Sequence, residues 1–247
     1  MSDSALYLTD AYLREFDSRV VRSSPGEVVL ESTAFYPQGG GQPFDQGSLL
    51  YGDGRRFLVE AVEKSEGGIV HRGSGEAPGP GNPVRGVLDW PRRYAHMRYH
   101  TCLHILSGVV FRNFGSVITG GQIYQDRARM DLSLPDLSRE RMEEIILEMN
   151  RVVEEDHPIR VRFLSRAEAE RDPTLVRVAR ELLPHLETLR LIDIEGFDVQ
   201  ADGGTHVRST REVGRVSLQK FENKGSKNKR LYLTVDPEAP SPYGSGS

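Results

Sequence analysis

The sequence predicts an α+β fold in two parts, and two observations lead to this prediction. Residues 5–90 contain short apolar runs separated by glycine-rich turn signals, a pattern typical of a small barrel. Residues 91–236 mix helical and alternating patterns without the regular strand–helix rhythm of a parallel sheet. We therefore predict a β-barrel-like domain over 1–90, a second domain over 91–236 with helices packed on a mostly antiparallel sheet, and a disordered tail over 237–247.

Turn signals place the strands of the N-terminal part. The runs Val28-Val29-Leu30 and Phe57-Leu58-Val59 have the length and apolar character of short strands. Gly52-Asp53-Gly54 predicts one hairpin, and Gly67-Gly68 predicts another. Proline and glycine crowd residues 74–86, which we interpret as the region of the domain boundary.

Helical periodicity is clearest in two segments of the C-terminal part. Apolar residues along 91–114 approximate one stripe, and those along 138–155 keep helical spacing throughout. Two further helices are predicted over 165–172 and 174–187, the second broken or kinked by Pro184. Alternating patterns predict strands at 128–132, 159–164, 189–200, 213–219 and 231–235.

Composition limits the class of protein. An apolar fraction of 37% and a charged fraction of 28% are typical of a soluble globular chain. No apolar run approaches the roughly 18 residues of a membrane span, and the acidic, polar start is unlike a signal peptide. Cys102 is the only cysteine in the sequence, so an internal disulfide is impossible. A cytoplasmic location fits these features.

Two stretches carry side chains suited to a metal ion. His100 and His104 lie four residues apart, so both rings project from one face if the segment is helical. Asp202 and His206 are also four apart, but a glycine pair between them favours a tight loop over a helix. Together the four residues offer enough ligands for a tetrahedral divalent ion, or three ligands with one position open. A threonine follows His100, so the general base of the HExxH metalloproteases is missing, which disfavours a protease.

The segment Thr33–Pro43 contains three consecutive glycines. Such a segment lets the backbone approach a ligand closely, and the alternative is a flexible loop or a wide turn. It is not a phosphate-binding P-loop, because no Gly-Lys-Ser/Thr follows.

Charge is unevenly distributed. The net charge of −4 argues against a general nucleic-acid binder. Basic residues nevertheless cluster near both candidate ligand stretches, either as ordinary solvated faces or as contacts for a polyanion. The clustered residues are Arg92, Arg93, Arg98, Lys220, Lys224, Lys227, Lys229 and Arg230.

Four motifs in this order resemble the freestanding alanyl-tRNA editing proteins of the AlaX class, which are related to the editing domain of alanyl-tRNA synthetase. The motifs are TAFYPQGGGQPFDQG at 33–47, HTCLH at 100–104, ARMDL at 128–132 and DVQADGGTHVRST at 198–210. The resemblance covers about residues 20–235. It implies a barrel-like module followed by an α+β editing domain.

The resemblance also implies roles for individual residues. It implies one zinc ion held by His100, His104 and His206, with Asp202 at the position where the family commonly has a cysteine. A carboxylate is a harder ligand than a thiolate, so this departure can loosen affinity or shift metal preference. Thr33 and Gln42 are expected to act at the catalytic site. Expected substrate contacts are Gly39, Gly40, Gly41, Gln122 and Arg129, and expected tRNA contacts are Arg92, Arg93, Lys220, Lys224 and Lys227.

The activity implied by the resemblance is hydrolysis of tRNA(Ala) mischarged with serine, with the glycyl ester as a second candidate substrate. In this hypothesis Thr33 reads the serine hydroxyl. Two alternatives stay open: a tRNA-binding homologue with a degenerate metal site and little catalysis, and a metal-dependent hydrolase of a small ester.

Overall fold

The computed structural model describes residues 5–116, 118–133, 138–171, 187–225 and 228–236. The chain divides into two compact units, Met1–His96 and Met97–Ser247. The division falls inside a long helix, Trp90–Phe114. The α+β class and the mostly antiparallel sheets predicted from the sequence are confirmed.

The first unit is built around a closed six-stranded barrel. A short 3-10 helix, Leu6–Leu8, precedes it. The strands join in the order β1-β2-β5-β4-β3-β6, and each neighbouring pair is antiparallel. Their bounds are β1 Glu15–Ser24, β2 Glu27–Leu30, β3 Gly47–Tyr51, β4 Arg55–Ser65, β5 Gly68–Ser74 and β6 Pro83–Leu88.

Alternating apolar residues fill the barrel. Phe35, Leu49 and Phe57 are fully buried at its centre and pack with the inward-facing valines of the strands. Both predicted hairpins are present, one between β3 and β4 and one between β4 and β5. The interpretation of 74–86 as a boundary region is wrong, because Pro83–Leu88 forms β6 and pairs with both β1 and β3.

The second unit packs helices against two antiparallel sheets. One sheet has the order β11-β10-β9 and the other β12-β13-β8-β7. The helices are α1 Trp90–Phe114, which starts in the first unit, α2 Arg139–Glu154 and α3 Arg166–Arg171, and a 3-10 turn spans Thr210–Val213. The strands are β7 Ile118–Ile123, β8 Ala128–Leu132, β9 Ile159–Ser165, β10 Thr188–Ile194, β11 Asp198–Ala201, β12 Val216–Asn223 and β13 Lys229–Val235.

Specific contacts fix α1 and α2 against these sheets. Phe197, in the turn between β10 and β11, lies so close to Gly108 of α1 that an added Cβ would stand 2.5 Å from its ring. Asn150 of α2 donates to the carbonyl of Val216 at 2.9 Å and accepts the amide of the same residue at 2.8 Å. Because α1 is anchored beside the β10–β11 turn, its histidines lie near the loop that follows β11.

Most predicted elements of this unit are observed. The helices predicted over 91–114, 138–155 and 165–172 correspond to α1, α2 and α3. The predicted helix at 174–187 falls almost entirely outside the described residues, as does the predicted tail at 237–247. Among the described residues, no helix combines the length and apolar character that a membrane span needs.

Candidate functional site

Helix α1 presents the first two candidate ligands. His100 and His104 lie one turn apart, with ring centroids 5.2 Å from each other. Both residues are buried, at 5% and 7% exposure. The predicted arrangement of the two rings on one helix face is therefore observed.

The loop after β11 presents the other two candidate ligands, Asp202 and His206. The backbone of Asp202 bonds to β10: its amide donates to the carbonyl of Arg190 at 3.1 Å, and the guanidinium of Arg190 donates to the carbonyl of Asp202 at 2.7 Å. The amide of Gly204 donates to the Asp202 carboxylate and so turns the loop back on itself. The loop predicted from the glycine pair is present, and it directs His206 toward α1.

The four side chains converge. Asp202 Oδ2 lies 3.5 Å from Nε2 of His100 and 3.9 Å from Nε2 of His104, and Oδ1 lies 3.3 Å from Nε2 of His206. One ligand atom from each residue lies within 4.8 Å of the others. A tetrahedral ion with bonds of about 2.1 Å has ligand atoms roughly 3.4 Å apart. The donor set and its spacing therefore fit one divalent metal ion.

Burial and neighbouring side chains together keep His104, His206 and Asp202 in the protonation states that a metal needs. Burial lowers the pKa of His104 to about 4 and, together with the neighbouring histidines, lowers the pKa of His206 well below its usual value. Burial by itself would raise the pKa of Asp202. Contacts with His100 and His206 outweigh it and hold the pKa of this carboxyl well below its usual value. A neutral imidazole and an ionised carboxylate are the forms that bind metal.

Thr101 supports the ligand set, and the sequence analysis missed it. Its hydroxyl oxygen lies 3.3 Å from Nδ1 of His206 and accepts the amide of Val207 at 3.3 Å. A hydrogen bond at Nδ1 leaves Nε2 of His206 facing Asp202. Cys102 is fully buried, and burial raises the pKa of its thiol to about 12, so it is no substitute for a cysteine ligand. Helical spacing already predicts that Cys102, two residues past His100, points away from the ligand face, whereas the contact of Thr101 depends on His206, about a hundred residues later in the chain.

In the first unit, the glycine-rich segment forms a tight turn. The amide of Gly39 donates to the carbonyl of Gln42 at 3.1 Å, and the amide of Gln42 donates back at 2.9 Å. Gly40 and Gly41 between them have φ values of 57° and 81°, the left-handed pair that a two-residue hairpin turn requires. The glycines therefore build a defined two-residue turn, and the alternative of a wide turn is wrong. Their predicted contact with substrate stays a prediction.

The two expected catalytic residues of this unit are buried. Gln42 is 0% exposed and Thr33 is 2% exposed. The hydroxyl of Thr33 lies 2.8 Å from Nε2 of His71 and accepts the amide of Phe35 at 3.1 Å. The catalytic roles of Gln42 and Thr33 stay predictions.

Arg93 does not belong to an exposed basic cluster. Its side chain is 0% exposed and forms an ion pair with the equally buried Asp45. It also donates to the carbonyls of Ala11, at 2.8 Å, and Ala34. Because the guanidinium is enclosed and already bonded to Asp45, Ala11 and Ala34, the prediction that Arg93 contacts a tRNA phosphate is wrong. Its neighbour Arg92 is partly exposed and donates to the carbonyl of Phe44 at 3.1 Å.

Gln122 and Arg129 lie opposite each other on β7 and β8. Both are partly buried, and the amide of the Gln122 side chain donates to the carbonyl of Ile123 at 3.2 Å. The Nε atom of Arg129 is buried and has no hydrogen-bond partner within the part of the chain that the structure describes. Their substrate contacts stay predictions.

The C-terminal basic cluster is partly neutralised. Lys220 and Lys224 lie 2.6 Å and 2.7 Å from the two carboxylate oxygens of Glu222. Hydrogen bonds from the two lysines lower the pKa of Glu222 to about 2, so the three side chains together carry one net positive charge. Lys227 lies outside the described residues.

A barrel joined in one chain to an α+β unit, with a three-histidine, one-aspartate cluster that could hold a metal ion, is the arrangement expected of the tRNA synthetase editing-domain class, and sequence comparisons agree. The family described as "Threonyl and Alanyl tRNA synthetase second additional domain" matches residues 189–232, and the family described as "tRNA synthetases class II (A)" matches residues 5–92.

Similar proteins define the family more narrowly. The alanyl-tRNA editing protein AlaX-M of Saccharolobus solfataricus is 41% identical over 234 residues, 94% of this chain and 98% of that protein. AlaX-M of Methanosarcina acetivorans is 40% identical over 93% of this chain and 98% of its own length. The alanine–tRNA ligase of Pyrococcus abyssi is 40% identical over 88% of this chain but only 24% of its own length. The chain belongs to the family of freestanding alanyl-tRNA editing proteins of the AlaX-M type.

Proposed function

We propose that this chain hydrolyses the ester of tRNA(Ala) mischarged with serine, with glycyl-tRNA(Ala) as a second candidate substrate. The observation that carries the proposal is the convergence of His100, His104, Asp202 and His206 in a chain of this family. In the reaction, a water oxygen attacks the ester carbonyl and the bond to the ribose oxygen breaks. The ribose oxygen takes up a proton, which releases the free amino acid and intact tRNA.

We further propose zinc as the metal. Three imidazoles and one carboxylate are ligands that zinc accepts, and their spacing suits tetrahedral coordination. When bound, a zinc ion supplies Lewis acidity, either to a water molecule or to the amine or carbonyl of the amino acid. The chain's own contribution is preorganisation: Gly204 holds Oδ1 of Asp202 through its amide, and Thr101 holds His206 through Nδ1.

Selection of serine is assigned to Thr33. A buried polar group that bonds the serine hydroxyl is left without that partner when alanine binds, and such a loss discriminates by up to about 10⁴-fold. Thr33 is 2% exposed, so water does not readily replace the missing partner. Glycine has no hydroxyl, so its removal would depend on the size of the pocket instead.

Binding of tRNA is assigned to exposed cations. Lys220 and Lys224 retain one net positive charge after pairing with Glu222, and Arg92 adds a partly exposed guanidinium. Contacts of this kind to phosphates weaken steeply as salt concentration rises.

The test compares three substrates: Ser-tRNA(Ala), Ala-tRNA(Ala) and serine methyl ester. The proposal expects rapid hydrolysis of the first and slow hydrolysis of the other two. A tRNA-binding homologue without catalysis would bind Ser-tRNA(Ala) and leave it intact, whereas a hydrolase of small esters would cleave the methyl ester as fast as the tRNA ester. The variants His104→Ala and His206→Ala serve as inactive controls, because each removes one metal ligand and retains the exposed cations.

A further inference from the structure

A buried histidine of the barrel holds the hydroxyl of Thr33. Nε2 of His71 lies 2.8 Å from Oγ1 of Thr33, and Nδ1 of the same ring lies 3.1 Å from the carbonyl oxygen of Val28. Val28 on β2 and His71 on β5 are strand partners, so the register of the barrel fixes the position of the ring. Phe35 packs edge-on against this ring, with centroids 5.4 Å apart.

These contacts determine which atom carries each proton. A carbonyl oxygen only accepts hydrogen bonds, so Nδ1 of His71 must carry the hydrogen that reaches Val28. Burial lowers the pKa of His71 to about 4, so the ring is neutral near pH 7 and has a single N–H. Nε2 is therefore an acceptor, and the Thr33 hydroxyl donates its one proton to it.

The hydroxyl oxygen of Thr33 has one lone pair left with which to accept a further hydrogen bond. It already accepts the amide hydrogen of Phe35 at 3.1 Å, and a hydroxyl oxygen has two lone pairs. With its proton directed to His71, Thr33 can only accept a hydrogen bond from any further group. The backbone is fixed as well, because the Thr33 carbonyl accepts the amide of Leu6 at 2.9 Å.

We propose that His71 is a positioning residue that makes Thr33 an obligate hydrogen-bond acceptor, and that this selects the substrate whose side chain donates a hydroxyl proton, serine. The inference rests on the proposed deacylation of Ser-tRNA(Ala) and adds a second residue to its specificity. A methyl group cannot donate to Thr33, so alanine gains nothing from this arrangement. Loss of His71 frees the Thr33 proton to rotate, so the hydroxyl no longer presents a fixed acceptor to serine, and the preference weakens although the hydroxyl remains.

The functional test uses the full-length chain with His71→Leu, His71→Gln, Thr33→Val and, as a control of barrel stability, Val84→Ala. Val84 is a buried core residue of β6. We expect His71→Leu to lower the serine-to-alanine ratio of kcat/KM by at least about 10-fold. His71→Gln should stay within about 3-fold of wild type, because an amide oxygen can accept the Thr33 proton where Nε2 does. Val84→Ala should keep the wild-type ratio.

A second measurement does not depend on activity. Long-range ¹⁵N–¹H NMR spectra of the wild-type chain at pH 7 should show His71 as the neutral Nδ1–H tautomer. The Nε2–H tautomer would overturn the inference, and so would a His71→Leu variant that keeps its serine preference while Thr33→Val loses it. If Thr33→Val also keeps the preference, the assignment of Thr33 under the proposed function fails, and the role of His71 fails with it. If wild type does not hydrolyse Ser-tRNA(Ala), the proposed function is wrong. The NMR spectra then show separately whether the geometry of His71 and Thr33 in the barrel is correct.

Discussion

Asp202 Oδ2 lies 3.5 Å from Nε2 of His100, although one residue comes from a loop after a strand and the other from the middle of a long helix. The helix is placed by its contact with Phe197, and the loop by the paired hydrogen bonds between Asp202 and Arg190. Two independently anchored elements thus bring an imidazole and a carboxylate to one point. The carboxylate of Asp202 lies at the position where the resemblance implies a cysteine.

Replacing the aspartate should change metal affinity. We expect Asp202→Ala to weaken zinc binding by at least about 10-fold, because it removes one ligand of the set. Asp202→Cys should restore or strengthen it, since thiolate is the softer ligand. Mass spectrometry gives the metal content of both variants, and competition with a chelator gives their zinc affinity. Cys102→Ala, which changes a buried thiol outside the four-residue cluster, is the matched control and should bind zinc as wild type does. Equal affinity in Asp202→Ala and wild type would remove Asp202 from the ligand set.

The ion pair between Arg93 and Asp45 should matter for the stability of the first unit. Both side chains are fully buried, and removal of one partner leaves a buried charge without compensation. We expect Arg93→Ala to lower the free energy of unfolding by about 3–5 kcal/mol. The control is Arg85→Ala, which removes an exposed pair with Glu15 and should change the free energy of unfolding far less than Arg93→Ala does. Urea unfolding followed by fluorescence measures both, and similar losses in the two variants would contradict the buried role.

His71 should make the first unit sensitive to acid. Its pKa is about 4 in the folded chain and near 6.5 when unfolded, so the unfolded chain binds the proton more tightly. Stability from this group is complete above about pH 6.5 and is lost as pH falls toward 4, by about 3 kcal/mol in all. His71→Gln removes this loss. Urea unfolding at pH 7.5 and pH 4.5, in the presence of chelator, should therefore show a smaller pH effect in His71→Gln than in wild type or Val84→Ala. Equal pH effects in all three proteins would show that His71 is not neutral in the barrel.

The lysines beside Glu222 should contribute to tRNA binding through phosphate contacts. If both contact phosphates, the double variant Lys220→Ala with Lys224→Ala should bind tRNA(Ala) more weakly and reduce the slope of log K against log salt by about 1 to 2. Glu222→Gln removes the competing carboxylate and should tighten binding. Filter binding from low to moderate salt measures each, with Arg139→Ala, an exposed residue at the start of α2, as the control. A slope unchanged in the double variant would place the tRNA elsewhere.

The sequence predicts local features of this protein well and long-range pairings poorly. The spacing of His100 and His104 predicts two rings on one helix face, and the glycines after Asp202 predict a loop, because each motif has one simple local geometry. The sequence does not predict the burial of Arg93, because its partner Asp45 lies far away in the chain. A run of arginines has the same local pattern whether the side chains are solvated or buried. The pairing of Thr33 with His71 is likewise set by the register of a closed barrel, which no local pattern encodes.

The most direct test of the account is hydrolysis of Ser-tRNA(Ala) by metal-stripped and reconstituted protein, with metal content measured in the same samples. We expect one zinc ion per chain in active protein, a loss of activity on stripping of at least about 100-fold, and recovery when zinc is returned. His100→Ala should take up little zinc and stay inactive after the same treatment. Full activity in protein shown to contain no metal would contradict the central claim that the three histidines and Asp202 form the metal centre of an editing enzyme.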